Sequence, residues 1–567
     1  MNCRPPIPLA LLALSVSVLS CGRGEATAGQ LMEAEIRHFH AEDCTVVLGQ
    51  IADAESSWIT SWFGQPAWSV DAPEILGDTR PAIYASTPSR FSIALSASQE
   101  ARVLTTAVRR AEQSEDGEIR SEVFWDDELG LQSLGFVRLT AETDTWFDLL
   151  VEVPKTAGVL VFSSRLSTPG MATRSSGELA WQRPTLAPKQ AATMPDVILL
   201  TLDTLRYDAV QNMPYLQSLM AEGMVWEQAY VPTNWTLPSM ASLLTGLDPS
   251  EHGCGRGPFP AQASGGLAAR DFRSLNQVPT IAEAMRNAGY ATAALHQNPF
   301  MEAWTGLNRG FEIYQRTADR SAANFTPATR WWAQNANRSR FLMLHFMTPH
   351  LPNAEVAALD SRDVEDFFAL DVSPAKRIAF FDFSAEERDS VRRAYRDAVV
   401  ELDTELQRLI TELRASSPDC RILIYADHGE EHWDAGGFEH GFDFDNSVTH
   451  VPLAFLNGTS AKAETIRTKV PAHHLGTYLL EQLQIPNQLP PSALGTSALA
   501  NRTVQSAFPL YRAPTGGRRW DSQKKAWVDL PFSGLGSPGQ DASIDPWTAA
   551  RLAELGYAGN NTKPLTK

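Results

Sequence analysis

The run Asp196-Val197-Ile198-Leu199-Leu200-Thr201-Leu202-Asp203-Thr204-Leu205-Arg206-Tyr207-Asp208 decides how this chain is read. From Val197 to Leu202 there is no charge and no alternation. That pattern belongs to a strand covered on both faces, as in a parallel sheet flanked by helices. Working outward, Thr280 to Asn287 reads as a helix stopped by Gly289, and Ala291 to Leu295 as the next strand. Phe341–Met347, Arg421–Tyr425 and Val451–Phe455 read as further strands, and His474–Leu483 as a further helix. A long helix between Met347 and Arg421 has its apolar positions at Val391, Tyr395, Val399, Leu402, Leu406, Ile410 and Leu413, a spacing of three and four that makes one buried stripe. This alternation predicts an α/β domain over residues 191–490, an αβα sandwich with a mainly parallel sheet.

Upstream the texture changes. Between Leu31 and Leu186 the apolar runs are short and alternating, as in Phe91–Leu95, Ser121–Trp125 and Trp146–Val153, with Gly, Pro, Asp and Ser between them. Residues 22–190 are therefore expected to hold an antiparallel β-sandwich, with Gly22–Gln30 as a tether and Pro184–Met194 as a linker. Residues 1–21 read as an export signal: Arg4, then the short apolar stretch Leu9–Leu19, then Val18-Leu19-Ser20-Cys21. That end resembles a bacterial lipobox, which would make the chain a cell-envelope lipoprotein held to the membrane by lipid on Cys21, on the periplasmic or outer-membrane face. Plain secretion is the alternative. Residues 491–567 are left as a C-terminal subdomain or tail.

Bulk properties exclude some functions. A chain of 567 residues exceeds one compact core, so several domains are expected. A net charge of −18 leaves no basic excess to release phosphate counterions, which argues against nucleic acid as a partner. Without Cys3 and Cys21, only Cys44, Cys254 and Cys420 remain; none forms a CxxC pair, so a thiolate zinc site is not expected.

In open α/β sheets, ligands collect beyond the carboxyl ends of strands. Asp203 follows one strand directly, Asp427-His428 follow another, and His345 and His350 lie within and after a third. His345, midway in an apolar strand, reads as a core histidine. His296 and Asn298, at a fourth strand end, are placed beside the pocket without a role. The segment Asn234-Trp235-Thr236-Leu237-Pro238-Ser239-Met240, running on to Gly246, predicts a helix beginning just after Thr236. A hydroxyl at that point is either an N-cap or a nucleophile, and the free N–H groups beyond it favour an anion. Threonine attacks only if its proton is removed, which a divalent ion held by Asp203, Asp427 and His428 would promote.

The ordered set of motifs resembles the sulfatase family of the alkaline phosphatase superfamily. It comprises Leu202-Asp203-Thr204-Leu205-Arg206-Tyr207-Asp208, Pro214-Tyr215-Leu216, Ser242-Leu243-Leu244-Thr245-Gly246, His252-Gly253, Pro349-His350-Leu351-Pro352, and Tyr395 with Asp397 and Asp403. It continues with Ala426-Asp427-His428-Gly429-Glu430-Glu431, His440-Gly441, Val451-Pro452-Leu453 and Leu552-Ala553-Glu554-Leu555-Gly556-Tyr557. The upstream region loosely resembles the jelly-roll modules beside some bacterial sulfatases. The resemblance also shows departures. Thr236 and Met240 stand where formylglycine formation needs Cys or Ser and Arg, Thr204 stands where a second metal carboxylate would be, and Phe442 stands where a Lys or His would be.

A threonine-nucleophile member would hold its metal with Asp203, Thr236, Asp427 and His428. His350 and His440 would then bind a second ion or protonate the leaving group. The donor set points to zinc or manganese, with calcium as the alternative. The function implied is hydrolysis of phosphate or sulfate esters, with glycan- or lipid-linked esters among the candidate substrates, through a covalent Thr236 ester. The alternatives are sulfate-ester hydrolysis without formylglycine, phosphoryl transfer, and a non-catalytic glycan-binding lipoprotein.

Overall fold

Val197–Leu202 forms a strand with all six residues buried. Fully burying side chains such as Leu199 and Leu200 contributes about 1.5–3 kcal/mol each. The computed structural model describes residues 37–48, 51–53, 59–60, 75–110, 118–140, 146–166, 178–189, 194–256, 272–275, 278–350, 383–434, 437–441, 444–459 and 463–494, and three strands between 507 and 530. Cys21, the signal and tether, Leu351-Pro352, Phe442 and the 552–557 tail lie outside these residues.

The Val197–Leu202 strand has parallel neighbours on both sides. Arg340–Phe346 sets Thr201 opposite His345, and Arg421–Tyr425 sets Thr201 opposite Tyr425. Ala291–His296 and Ile313–Thr317 continue the parallel run. The flanks differ from a mainly parallel expectation. Leu453–Asn457 runs antiparallel to Arg421–Tyr425, and Ile75–Arg80 runs antiparallel to Ile313–Thr317. The result is a ten-stranded mixed sheet.

The reversal at Leu453 has a local cause. After Tyr425 the chain stays at the carboxyl edge, making the Glu431–His432/Phe438–Glu439 pair and the short helix Asn446–Thr449. It returns without a crossover helix, so the next strand must run the opposite way.

Helices pack in two groups. Ala385–Ser416, Pro214–Met220 and Phe325–Gln334 form one; Thr236–Thr245, Ile281–Asn287 and Leu475–Gln482 form the other. The 32-residue Ala385–Ser416 helix starts at Ser384, whose hydroxyl accepts the Glu387 N–H, and buries the expected stripe from Val391 to Leu413. Among the described residues no helix is long and apolar enough to cross a membrane.

The upstream region carries two sheets, of seven and five strands, with antiparallel pairing throughout. Phe91, Trp125 and Phe162 from one and Leu104 and Trp181 from the other share one apolar cluster. The expected linker is partly strand. Thr185–Pro188 pairs with Arg102–Thr105, and its proline sits at the last position, where a missing N–H is tolerated. Ile75–Arg80 belongs to the large sheet, so the upstream segment also supplies an edge of the downstream one.

Candidate active site

Three parallel strands and one helix bring the predicted residues to a single point. Asp203 follows the central strand and is fully buried, as are Asp427 and His428 beyond Tyr425. Thr236 is the first residue of the helix Thr236–Thr245, with Trp235 as N-cap, one position inside the boundary expected from sequence. The helix ends at Gly246, whose φ of 69° is the left-handed turn that favours glycine. Gly429 serves a different need: a Cβ there would collide with the Ser447 carbonyl oxygen. The backbone comes that close because the Gly429 N–H donates to the Val448 carbonyl at 2.7 Å, which holds the Asp427–Gly429 loop down.

Thr236 Oγ1 lies 3.3 Å from His428 Nε2, and that nitrogen lies 3.4 Å from Asp427 Oδ2 and 3.6 Å from Asp203 Oδ1. His428 Nδ1 donates to the Gly429 carbonyl at 2.9 Å, so Nε2 faces the cluster with its lone pair. Among the described residues, neither Asp203 Oδ1 nor Asp427 Oδ2 has a hydrogen-bond partner, and both are buried. Donors about 2.1 Å from a tetrahedral ion stand roughly 3.4 Å apart, close to these separations. Orphaned acceptors of this kind, next to a buried like-charge pair, fit a divalent cation. Burial, aided by the Glu430 carboxylate, raises the Asp203 carboxyl to about 7. Burial and the neighbouring Asp203 charge raise Asp427 well above the usual carboxylate range.

His345 is not an ordinary core histidine. Among the described residues neither ring nitrogen has a hydrogen-bond partner, Nε2 is 3.5 Å from Asp203 Oδ2, and Asp203, His345 and Asp427 offer ligand atoms within 4.8 Å of one another. Burial lowers its pKa to about 3, which keeps the neutral imidazole that metals require. A continuous apolar strand hides such a residue from sequence reasoning, because no alternation marks which face it takes.

His350 and His440 are both buried and meet edge to face with ring centroids 4.9 Å apart; His440 also lies 4.3 Å from the His428 ring. His440 Nδ1 donates to Glu430 Oε1 at 2.9 Å, which turns Nε2 away from Glu430. Burial lowers the His440 pKa to about 3; an anionic substrate beside the ring would raise it again. Sequence reasoning left Asn298 unassigned, yet its Nδ2 donates to Asp203 Oδ2 at 2.7 Å and to Thr236 Oγ1 at 3.1 Å. Its strand-end position was the available signal, the same one that pointed to Asp203. His296 faces away, bonding the Asn298 carbonyl through Nδ1.

Other motif residues hold the loops. The Tyr395 hydroxyl donates to the Thr204 carbonyl and accepts the Arg206 N–H. Asp403 accepts the Tyr215 and Leu216 N–H groups. Arg206 joins Asp208, Asp434 and the Glu430 carbonyl. Thr204 has φ 55°, a strained value for a β-branched residue costing about 1–3 kcal/mol, while its N–H donates to Asp427 Oδ1 at 3.3 Å. Met240 is fully buried in the apolar core. Cys254 and Cys420 are buried free thiols.

An α/β sheet with acids and imidazoles converging on one hydroxyl at its carboxyl edge is the arrangement of an ester hydrolase. The chain belongs to the sulfatase family, whose model matches residues 195–485, just over half of it. It is 26% identical to arylsulfatase A of Bos taurus over 375 residues, covering 56% of this chain and 72% of that protein. Among solved structures, it is similar to the phosphonate monoester hydrolase SpPMH of Silicibacter pomeroyi (19% identity, 64% of this chain and 93% of that one, TM-score 0.43). It is also similar to the phosphonate monoester hydrolase of Agrobacterium radiobacter (17%, 53% and 76%, TM-score 0.41).

Proposed function

We propose that the chain hydrolyses phosphate, phosphonate or sulfate esters through a covalent ester on Thr236. The observation that carries this reading is the convergence of Asp203, Asp427 and His428 on the Thr236 hydroxyl at the start of a helix. Asp203, Thr236, Asp427 and His428, with His345 added, would hold a divalent ion, zinc or manganese by donor type. When bound, that ion lowers the proton affinity of the hydroxyl and offsets charge on the transferred group.

The chain's own residues do the rest. The Thr236 Oγ–H bond breaks, its proton passing to the Asp427 carboxylate beside it, and Oγ bonds to phosphorus or sulfur. The bond from that atom to the ester oxygen breaks, and the leaving oxygen takes a proton from His440 or His350. Water then attacks the Thr236 ester, releases the acid and restores the hydroxyl. N–H groups of the first helical turn suit the transferred group's negative oxygens.

We also propose the domain plan read from sequence. It has a signal over 1–21 with lipid on Cys21, a jelly-roll-like β-sandwich over 22–190 that lends Ile75–Arg80 to the large sheet, an αβα catalytic unit over 191–490 and a tail over 491–567. Thr236→Ala should lower turnover of an aryl ester by about 10⁴-fold while bound metal, measured by elemental analysis, is retained through Asp203, Asp427, His428 and His345. Unchanged turnover would sink the nucleophile assignment. Comparing aryl sulfate, aryl phosphate and phosphonate monoester on one metal-loaded sample separates the ester classes.

A further inference from the structure

We infer that Asn298 is a catalytic residue: its amide fixes Thr236 Oγ1 as a hydrogen-bond acceptor and keeps a donor on that oxygen as it becomes the nucleophile. The inference rests on the reading of Thr236 as the attacking group.

Asn298 is 1% exposed and its Oδ1 accepts the Phe300 N–H at 2.8 Å, so the carbonyl end is committed to the backbone and Nδ2 must face the cluster. His296 Nδ1 pins the Asn298 carbonyl at 3.1 Å, and Pro299 stiffens the turn that follows. Both anchors are buried: His296 closes the strand Ala291–His296, and Phe300 lies in the short helix Pro299–Met301 that follows.

An NH₂ group has two hydrogens, and here both have acceptors: Asp203 Oδ2 and Thr236 Oγ1. Since Asn298 can only donate through Nδ2, Thr236 must accept from it. The single hydroxyl hydrogen is then driven to the opposite side, where His428 Nε2 and Asp427 lie. The amide thus aims the proton at Asp427, the carboxylate that would take it, while the His428 Nε2 lone pair stays available to the ion. Once the proton has gone, the same N–H remains on an oxygen that now carries charge, and a prepositioned donor at developing charge is where such a bond is worth most. The other hydrogen occupies Asp203 Oδ2 and leaves the orphaned Oδ1 as the oxygen turned to His428.

Two variants test this. Asn298→Asp keeps the oxygen that caps Phe300 but replaces the donor with an acceptor, and Asn298→Ala removes both. Each should lower kcat by about 10²-fold with little change in KM, at saturating zinc or manganese. Rapid-quench intact mass should show covalent adduct on Thr236 forming more slowly by the same factor. Aryl esters with good and poor leaving groups should be slowed alike, because the defect lies in the nucleophile. The inference is overturned if Asn298→Asp stays within threefold of the parent. It is also overturned if excess metal restores its rate, which would make the amide a support for the ion alone. Thr236→Ala, run alongside, decides the nucleophile reading separately. If that variant is inactive while Asn298→Asp is fast, only the role of Asn298 fails; if it is active, the nucleophile reading fails.

Discussion

The junction where the edge strand Ile75–Arg80 of the large sheet meets the upstream sheets and the carboxyl edge of the large sheet both bury charged groups, but they treat them in opposite ways. Arg80, almost fully buried, donates to Asp78, Asp148 and Gln182, so its charge is matched on several sides. Ser121 and Ser164 likewise satisfy each other within the five-stranded upstream sheet. At the large sheet's edge, Asp203 and Asp427 face one another with orphaned oxygens, His345 has two unpartnered nitrogens, and Thr204 is held at positive φ. Saturated polar groups serve cohesion. Unsaturated ones, kept in place by Tyr395, Arg206 and Asn298, cost stability and are what a bound ion and substrate would complete.

The contrast breaks most sharply if its catalytic side fails. Asp427→Asn should cost about 10³-fold in turnover and reduce bound divalent metal, read by elemental analysis. Retained metal with full activity would mean that the unsaturated edge is only a packing defect. On the other side, Arg80→Met should lower unfolding free energy by about 3 kcal/mol in denaturant titration, since it strands the Asp78 carboxylate, yet leave kcat unchanged. A change in kcat there would show the upstream region to be part of the chemistry.

A subtler outcome concerns metal-free protein. Asp203→Asn should be more stable than the parent by about 1–2 kcal/mol near pH 8, because it removes one of two buried like charges. The sign follows from the raised carboxyl. Asp203 titrates near 7 when folded against about 3.9 when unfolded, so its stabilising contribution is complete below about pH 4 and is lost as pH rises through 7. The variant's advantage should therefore vanish near pH 4, and thermal melts across that range check it.

Much of the site was legible because strand-end positions carry their own logic. Asp203, Asp427 and His428 each follow a buried apolar run, and Thr236 opens a helix marked by Pro238 and Gly246. The same logic reached Asn298 but gave it no role, since an amide has no charge to signal one. From sequence His345 reads as core, because a strand buried on both faces gives no periodicity to say which side faces ligand. The antiparallel flanks were hidden too: nothing in Leu453–Asn457 says whether the chain before it crossed the sheet or turned back.

Sequence alone determined which segments form strands and helices, and which acids and imidazoles stand at their ends, because hydrophobic runs and turn residues act over a few neighbours. Tertiary structure alone decided strand direction at the sheet's edges, the recruitment of Ile75–Arg80 into the large sheet, and the approach of Asn298 and His345 to Asp203. Those contacts join residues more than ninety positions apart, and only the closure of the sheet brings their atoms within bonding range.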